Sequence, residues 1–261
     1  MLDGAMPKFR FSGVEIAYEI YGEGRPVLLI HGFASSGIIN WVNPGWVEAL
    51  NKAGWQAITM DNRGHGASQK FYDPKLYLAH DMADDAAHLL DHLKLGRVPV
   101  MGYSMGARIC AYLAVRHPER VICSVWGGMG GNLLTGMDDS EAIAAGLTAE
   151  EVPGKVGSSA RQFRLFADSS KADRAALAAC VVTSREPMTA DEVRRITSPV
   201  LVAIGENDEM AGGFDPLPQL LPDCETFLIP KRNHMLSTGD PKFKSAAIAF
   251  LGRRASLSGQ S

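Results

Sequence analysis

What this chain has little of already narrows what it can be. It carries only four cysteines, Cys110, Cys123, Cys180 and Cys224. None forms a CxxC pair, and two sit inside apolar runs, where a thiol behaves as a small hydrophobe. That usage points to no zinc site and no disulfide framework. No apolar stretch approaches the roughly 18 residues of a membrane-spanning helix, and residues 1–8 lack the basic start and apolar core of a secretion signal. The expectation is a soluble cytoplasmic protein with no membrane partner. There is no long run of one charge sign, and the formal net charge over 261 residues is -3. A polyanion-binding surface is therefore not expected, and a small molecule is a better partner than nucleic acid. No internal repeat is visible, which argues against a solenoid.

The chain is otherwise well supplied for a core: 46% of its residues are hydrophobic and 21% charged, close to the globular average. Single α/β domains run to about 250 residues, so one domain or two would fit the length. Residues 8–21 alternate apolar and polar positions, broken at Ser12-Gly13, which predicts a two-stranded hairpin with one buried face. Residues 26–30 are apolar on both sides, as in a strand covered on both faces. They end at His31-Gly32-Phe33, whose following loop is a candidate site wall. A helix over 46–52 stopped by Gly54, a strand over 56–60 and a turn-rich loop over 61–68 follow. Met82, Ala86, Leu89, Leu90 and Leu93 recur at helical spacing, predicting an amphipathic helix over 78–95 ended by Gly96.

Val98-Pro99-Val100-Met101 then runs into Gly102-Tyr103-Ser104-Met105-Gly106 and a helical pattern that stops at His117-Pro118. This is a GxSxG pattern in a strand-turn-helix setting. Small residues on both flanks let strand and helix approach a serine held in a sharp, strained turn. The turn would expose the Ser104 hydroxyl beside the first amides of the helix, where an oxyanion can be held. A further buried strand is expected over 121–126.

From 130 to about 187 the pattern contains no strand, only Ala-rich helical stretches divided by Gly, Pro and Ser. We read an inserted helical cap, with residues 1–128 and 189–261 as the core and 129–188 as the insertion. Thr189, with Glu192 three residues on, is placed to cap a short helix. Strands over 199–204 and 226–229 end at Gly205-Glu206-Asn207-Asp208 and Pro230-Lys231-Arg232-Asn233-His234. A last helix over 242–251 precedes a Ser- and Gly-containing tail expected to fray. Alternating strands and helices imply right-handed crossovers and a largely parallel sheet, with the first hairpin as its antiparallel exception.

Ser104, Asp208 and His234 thus follow three strand ends. In an open parallel sheet these ends line one edge, so residues distant in the chain meet in one crevice. The order serine, acid, histidine is the one an α/β-hydrolase triad uses. With the His31-Gly32 loop, Asp61-Asn62-Arg63-Gly64-His65-Gly66, Gly102-Tyr103-Ser104-Met105-Gly106, Gly205 to Asp208, and His234, the chain resembles over nearly its full length an α/β-hydrolase-fold serine hydrolase with a small helical cap. The resemblance implies a mostly parallel twisted sheet flanked by helices, no metal and no cofactor. It also implies Ser104 as nucleophile, His234 as general base, Asp208 as its orienter, and an oxyanion hole from the amides of Phe33 and Met105.

Other residues compete for these roles. Glu206 lies two positions before Asp208 and is a rival acid, and Asp223 a weaker one. His31 is read as shaping the oxyanion loop, His65 as holding the 61–68 turn, and Tyr103 as packing under the elbow. Trp126 and Met129 are taken as candidate pocket walls, with plain core packing the alternative for each; Met137 and Met188 are weighed the same way. The leading function is hydrolysis of small to medium carboxylic esters through an acyl-enzyme. Carbon-carbon hydrolysis and peracid formation remain open on the same residues. The proline that often marks the oxyanion loop of perhydrolases is absent, Ala34 following Phe33. A slow-turnover ligand receptor is the alternative of another class, and fold does not decide between them. Oligomeric state is not encoded legibly.

Overall fold

The computed structural model describes residues 6–257. Of the tail expected to fray beyond Leu251, residues 252–257 instead continue the last helix, and residues 258–261 lie outside the described range. Eight strands form one sheet: β1 Lys8–Phe11, β2 Val14–Tyr21, β3 Arg25–Ile30, β4 Trp55–Met60, β5 Val98–Tyr103, β6 Val121–Gly127, β7 Val200–Gly205 and β8 Cys224–Ile229, in the spatial order β1-β2-β4-β3-β5-β6-β7-β8. β1 and β2 are the expected hairpin, and β2 also pairs antiparallel with β4. The remaining pairs, from β4 to β8, are parallel.

Because side chains alternate across a strand, the all-apolar strands feed two layers. On β3, Leu28 and Ile30 join one core cluster while Val27 and Leu29 join the other. The first cluster holds the buried faces of α2 (Ala79–His92) and α3 (Met105–Arg116). The second is built on Trp46 of α1 (Trp46–Lys52) and on Phe243 and Phe250 of α11 (Pro241–Leu257). Between β6 and β7 come α4 (Asn132–Thr135), α5 (Ser140–Thr148), α6 (Ser159–Ser170), α7 (Arg174–Thr183) and α8 (Ala190–Arg194), and the short α9 (Leu217–Leu220) stands between β7 and β8. Thr189 and Glu192 form a reciprocal capping box at the start of α8. The chain therefore has the α/β architecture read from its sequence.

Three element ends depart from expectation. α2 stops at His92, where Lys94 adopts a left-handed conformation at φ 56°. The Leu95 N–H reaches back to the Leu90 carbonyl and the Lys94 N–H to that of Asp91, a Schellman stop. Lysine thus does the work assigned to Gly96. β8 begins at Cys224, extending its parallel register with β7, and α11 continues to Leu257. A π-helical turn over Ile38–Val42 was not foreseen, since its residues lack a helical apolar period. Among the described residues no helix is long and apolar enough to cross a membrane.

Candidate active site

β4 lies on one side of β3 and β5 on the other, so the direction in which strands are added reverses between β3 and β5. A crevice opens at the carboxyl ends of strands at such a switch point. The ends that meet there are Gly32-Phe33 after β3 and Ser104 after β5, with Ile30 paired to Gly102. Ser104 has φ 53° and ψ -116°, a sparsely populated conformation for a residue with a side chain. It is held by its own N–H, which donates to the Gly127 carbonyl at 2.8 Å, and by the start of α3 just beyond it. A Cβ on Gly106 would collide with the Ile30 carbonyl, and one on Gly102 with the backbone of Gly106. Glycine at both positions is therefore a steric requirement of the turn.

The Ser104 hydroxyl oxygen lies 3.0 Å from His234 Nε2, and His234 Nδ1 lies 2.9 Å from each Asp208 carboxylate oxygen. Asp208 Oδ1 also accepts the N–H groups of Met210 and Ala211 at 3.1 and 3.0 Å. His234 starts the short α10 (His234–Ser237), capped by the Asn233 side chain, and its carbonyl accepts the Tyr103 hydroxyl. Tyr103 is buried beneath the turn, and burial raises its phenol above its ordinary value. Glu206 faces elsewhere and accepts the Lys231 N–H, while Asp223 pairs with Arg254. The structure thus brings together Ser104, His234 and Asp208 and leaves both rival acids outside.

Phe33 and Met105 flank Ser104 from the β3 loop and the first turn of α3. Among the described residues neither amide has a hydrogen-bond partner. Met105 occupies the first helical position, whose N–H is one of the donors a helix leaves unpaired, at its positive end. The turn carrying Phe33 is fixed from behind. Asn40 Oδ1 accepts the Gly32 N–H at 2.9 Å, and His31 Nδ1 donates to the Gly32 carbonyl at 2.7 Å while its Nε2 accepts the Asn62 N–H. His31 is fully buried and both its ring nitrogens are taken up by the Gly32 carbonyl and the Asn62 N–H, so it serves the loop. His65 lies against it, ring centres 5.1 Å apart, and burial pushes its pKa down to about 3. Asp61 accepts the N–H groups of Gly37 and Ala67 and ties the same loops together.

A cavity of about 340 Å³ opens on Ser104 and His234. Its walls are mainly apolar, including Phe33, Ile39, Phe163, Phe166 and Leu236. Trp126 and Met129 are not among them. Both are buried in the core cluster that holds the faces of α2 and α3: Trp126 sits on β6, a central strand covered on both faces, and Met129 follows two residues beyond its end. The wall comes instead from α6. Phe163 packs edge-on to Phe33, ring centres 5.2 Å apart, and the Arg185 guanidinium lies over both rings. Sequence reasoning missed Asn40, Phe163 and Phe166. The aromatic residues of α6 signal a buried face, but nothing in their spacing says what it is buried against.

An eight-stranded sheet with this strand order, interrupted by helices between β6 and β7, defines an α/β-hydrolase-fold protein. A family described as alpha/beta hydrolase fold matches residues 25–125. The chain is 39% identical over 105 residues to the non-heme chloroperoxidase CPO-A1 of Kitasatospora aureofaciens, a match covering 40% of this chain and 36% of that protein. It thus spans little more than a third of that curated relative. It is 26% identical to the 2-(acetamidomethylene)succinate hydrolase of Mesorhizobium japonicum, over 87% of each chain. Among solved structures, a thermophilic esterase from Thermogutta terrifontis superposes with a TM-score of 0.73 at 22% identity, covering 95% of this chain and 97% of that one.

Proposed function

We propose that this protein is a serine hydrolase cleaving small to medium carboxylic esters through an acyl-enzyme on Ser104. The observation that carries the reading is the hydrogen-bonded run from Ser104 through His234 to Asp208 at the floor of an apolar cavity. Similarity to an esterase and a hydrolase supports it.

The chemistry follows from the geometry. A serine hydroxyl is a weak nucleophile, so His234 Nε2 takes its proton as Oγ bonds to the ester carbonyl carbon. The carbonyl oxygen becomes an oxyanion within reach of the Phe33 and Met105 amides, and losing one such donor costs about 3 kcal/mol in barrier height. As the carbon-oxygen bond to the alcohol breaks, the imidazolium returns its proton to that oxygen. Water then attacks the acyl-enzyme with His234 again as base, and the carboxylic acid leaves. Asp208, held by two backbone amides, keeps Nδ1 protonated and stabilises the imidazolium. The helices within residues 129–188 act as a cap, and Phe163 and Phe166 bound the acyl pocket.

The chloroperoxidase relative keeps peroxide chemistry as a second reading. Position 34 speaks against the proline expected of perhydrolases, because Ala34 sits at φ 59°, which a proline ring cannot adopt. Turnover of p-nitrophenyl acetate and butyrate by the wild type, lost in Ser104→Ala, tests the ester reading. Peracid formation outpacing hydrolysis when hydrogen peroxide is supplied, or no turnover of either ester, would replace it.

A further inference from the structure

We propose that Arg108 is a positioning residue that clamps both ends of the helical insertion to the nucleophile helix and so sets which acyl groups the cavity accepts. The proposal rests on the ester-hydrolase reading. Arg108 stands on α3 one turn beyond Ser104 and is 2% exposed. No carboxylate pairs with it among the described residues. Its Nη1 donates to the carbonyls of Leu133 at 3.0 Å and Glu186 at 2.6 Å, and its Nη2 to that of Asn132 at 2.8 Å.

Those carbonyls come from opposite ends of the insertion. Asn132 and Leu133 belong to α4, just after the chain leaves β6, and Glu186 lies just before it re-enters the core. The Met188 N–H closes the same junction by donating to the Leu133 carbonyl at 2.9 Å. A buried cation met only by carbonyl dipoles is an expensive way to fill space, and burial here pushes its pKa down to about 10. An apolar side chain would fill the volume at lower cost. What it would lack is a planar fork able to hold two chain segments at once. α6 lies between those segments and carries Phe163 and Phe166 into the cavity wall. Fixing the ends therefore fixes the wall. A second contact between α3 and the insertion, Met105 sulfur to Cys180 sulfur at 3.9 Å, is too weak to replace the clamp.

The test compares p-nitrophenyl hexanoate, whose longer acyl chain needs more of the apolar wall, with the acetate. In Arg108→Ala the hexanoate-to-acetate ratio of kcat/KM falls roughly tenfold, mostly through the hexanoate KM. Low-millimolar guanidinium chloride restores the ratio and equal sodium chloride does not. An unchanged ratio, or a fall that guanidinium leaves untouched, overturns the proposal. Should Arg108→Ala fail to fold, Arg108→Lys carries the same test, because lysine has one nitrogen on a shorter reach where arginine uses two, and it cannot occupy both the Nη1 and Nη2 positions that meet the three carbonyls. Wild-type ratios in that variant overturn it. If the wild type cleaves neither ester, the ester reading fails by itself. The clamp is then read from limited proteolysis within residues 136–187, where faster cutting of Arg108→Lys than of wild type supports it and equal cutting overturns it.

Discussion

His234 Nε2 lies 3.0 Å from the Ser104 hydroxyl oxygen across 130 residues of chain. Neither residue comes from the interior of a strand. Ser104 is held at the turn after β5, and His234 at the start of a short helix beyond β8, with the Tyr103 hydroxyl bonded to its carbonyl. The distance is set by the backbone of two strands, so substitutions at the two side chains should alter chemistry far more than folding.

Ser104→Ala should lower kcat for p-nitrophenyl butyrate by about a million-fold, as loss of a serine nucleophile does in a triad. Ser104→Gly should be equally inactive yet more stable by about 1 kcal/mol, because glycine adopts φ 53° without the strain that a side chain brings. Differential scanning calorimetry would register a rise of about 2–4 °C. A glycine variant that melts below wild type would show that the turn is not strained.

Asp208→Asn should reduce kcat about ten-thousand-fold while leaving KM near wild type. An amide cannot accept from His234 Nδ1 and from the Met210 and Ala211 amides as the carboxylate does. Glu206→Gln should leave steady-state kinetics intact, since that side chain bonds the Lys231 amide. The reverse pattern would reassign the acid.

Stability should fall as pH drops from about 6.5 towards 3. His65 is pushed down to about 3 by burial, with His31 beside it lowered for the same main reason. Between these limits the unfolded chain binds a proton at His65 that the folded protein does not, so stability rises with pH through the window. His65→Gln should flatten the pH dependence of the urea midpoint over that range. Parallel curves for wild type and variant would contradict the assignment.

Arg63 and Asp85 form a bidentate pair at 2.7 Å through both bonds, each residue at most 6% exposed. Asp85→Ala should cost about 3–5 kcal/mol in urea unfolding, because Arg63 would be left buried and unpaired. The double change Arg63→Met with Asp85→Leu should recover most of the loss. Additive losses in the double variant would show that the two residues act separately.

The strand pattern was legible because a strand buried on both faces must be apolar throughout, as Pro26 to Ile30 and Val200 to Ile204 are. The places of Ser104, Asp208 and His234 were legible for a related reason: a parallel sheet puts every loop that follows a strand on one edge. Trp126 shows the limit. Its apolar neighbours announce burial, but only the packing says that it is buried in the core and not against the cavity. The stop of α2 at Lys94 instead of Gly96 has the same origin, since local propensity yields to the hydrogen bonds the neighbouring turn can make.

By itself, then, the sequence determined the strands and most helices of the core, their order along the chain and the chemical types that follow the strand ends, because hydrophobic period and turn chemistry are local properties. Tertiary structure alone decided the cavity wall, the loop support from Asn40 and the anchoring of the insertion through Arg108. These depend on which buried surfaces face each other, and that relation between distant segments leaves no periodic mark on either of them.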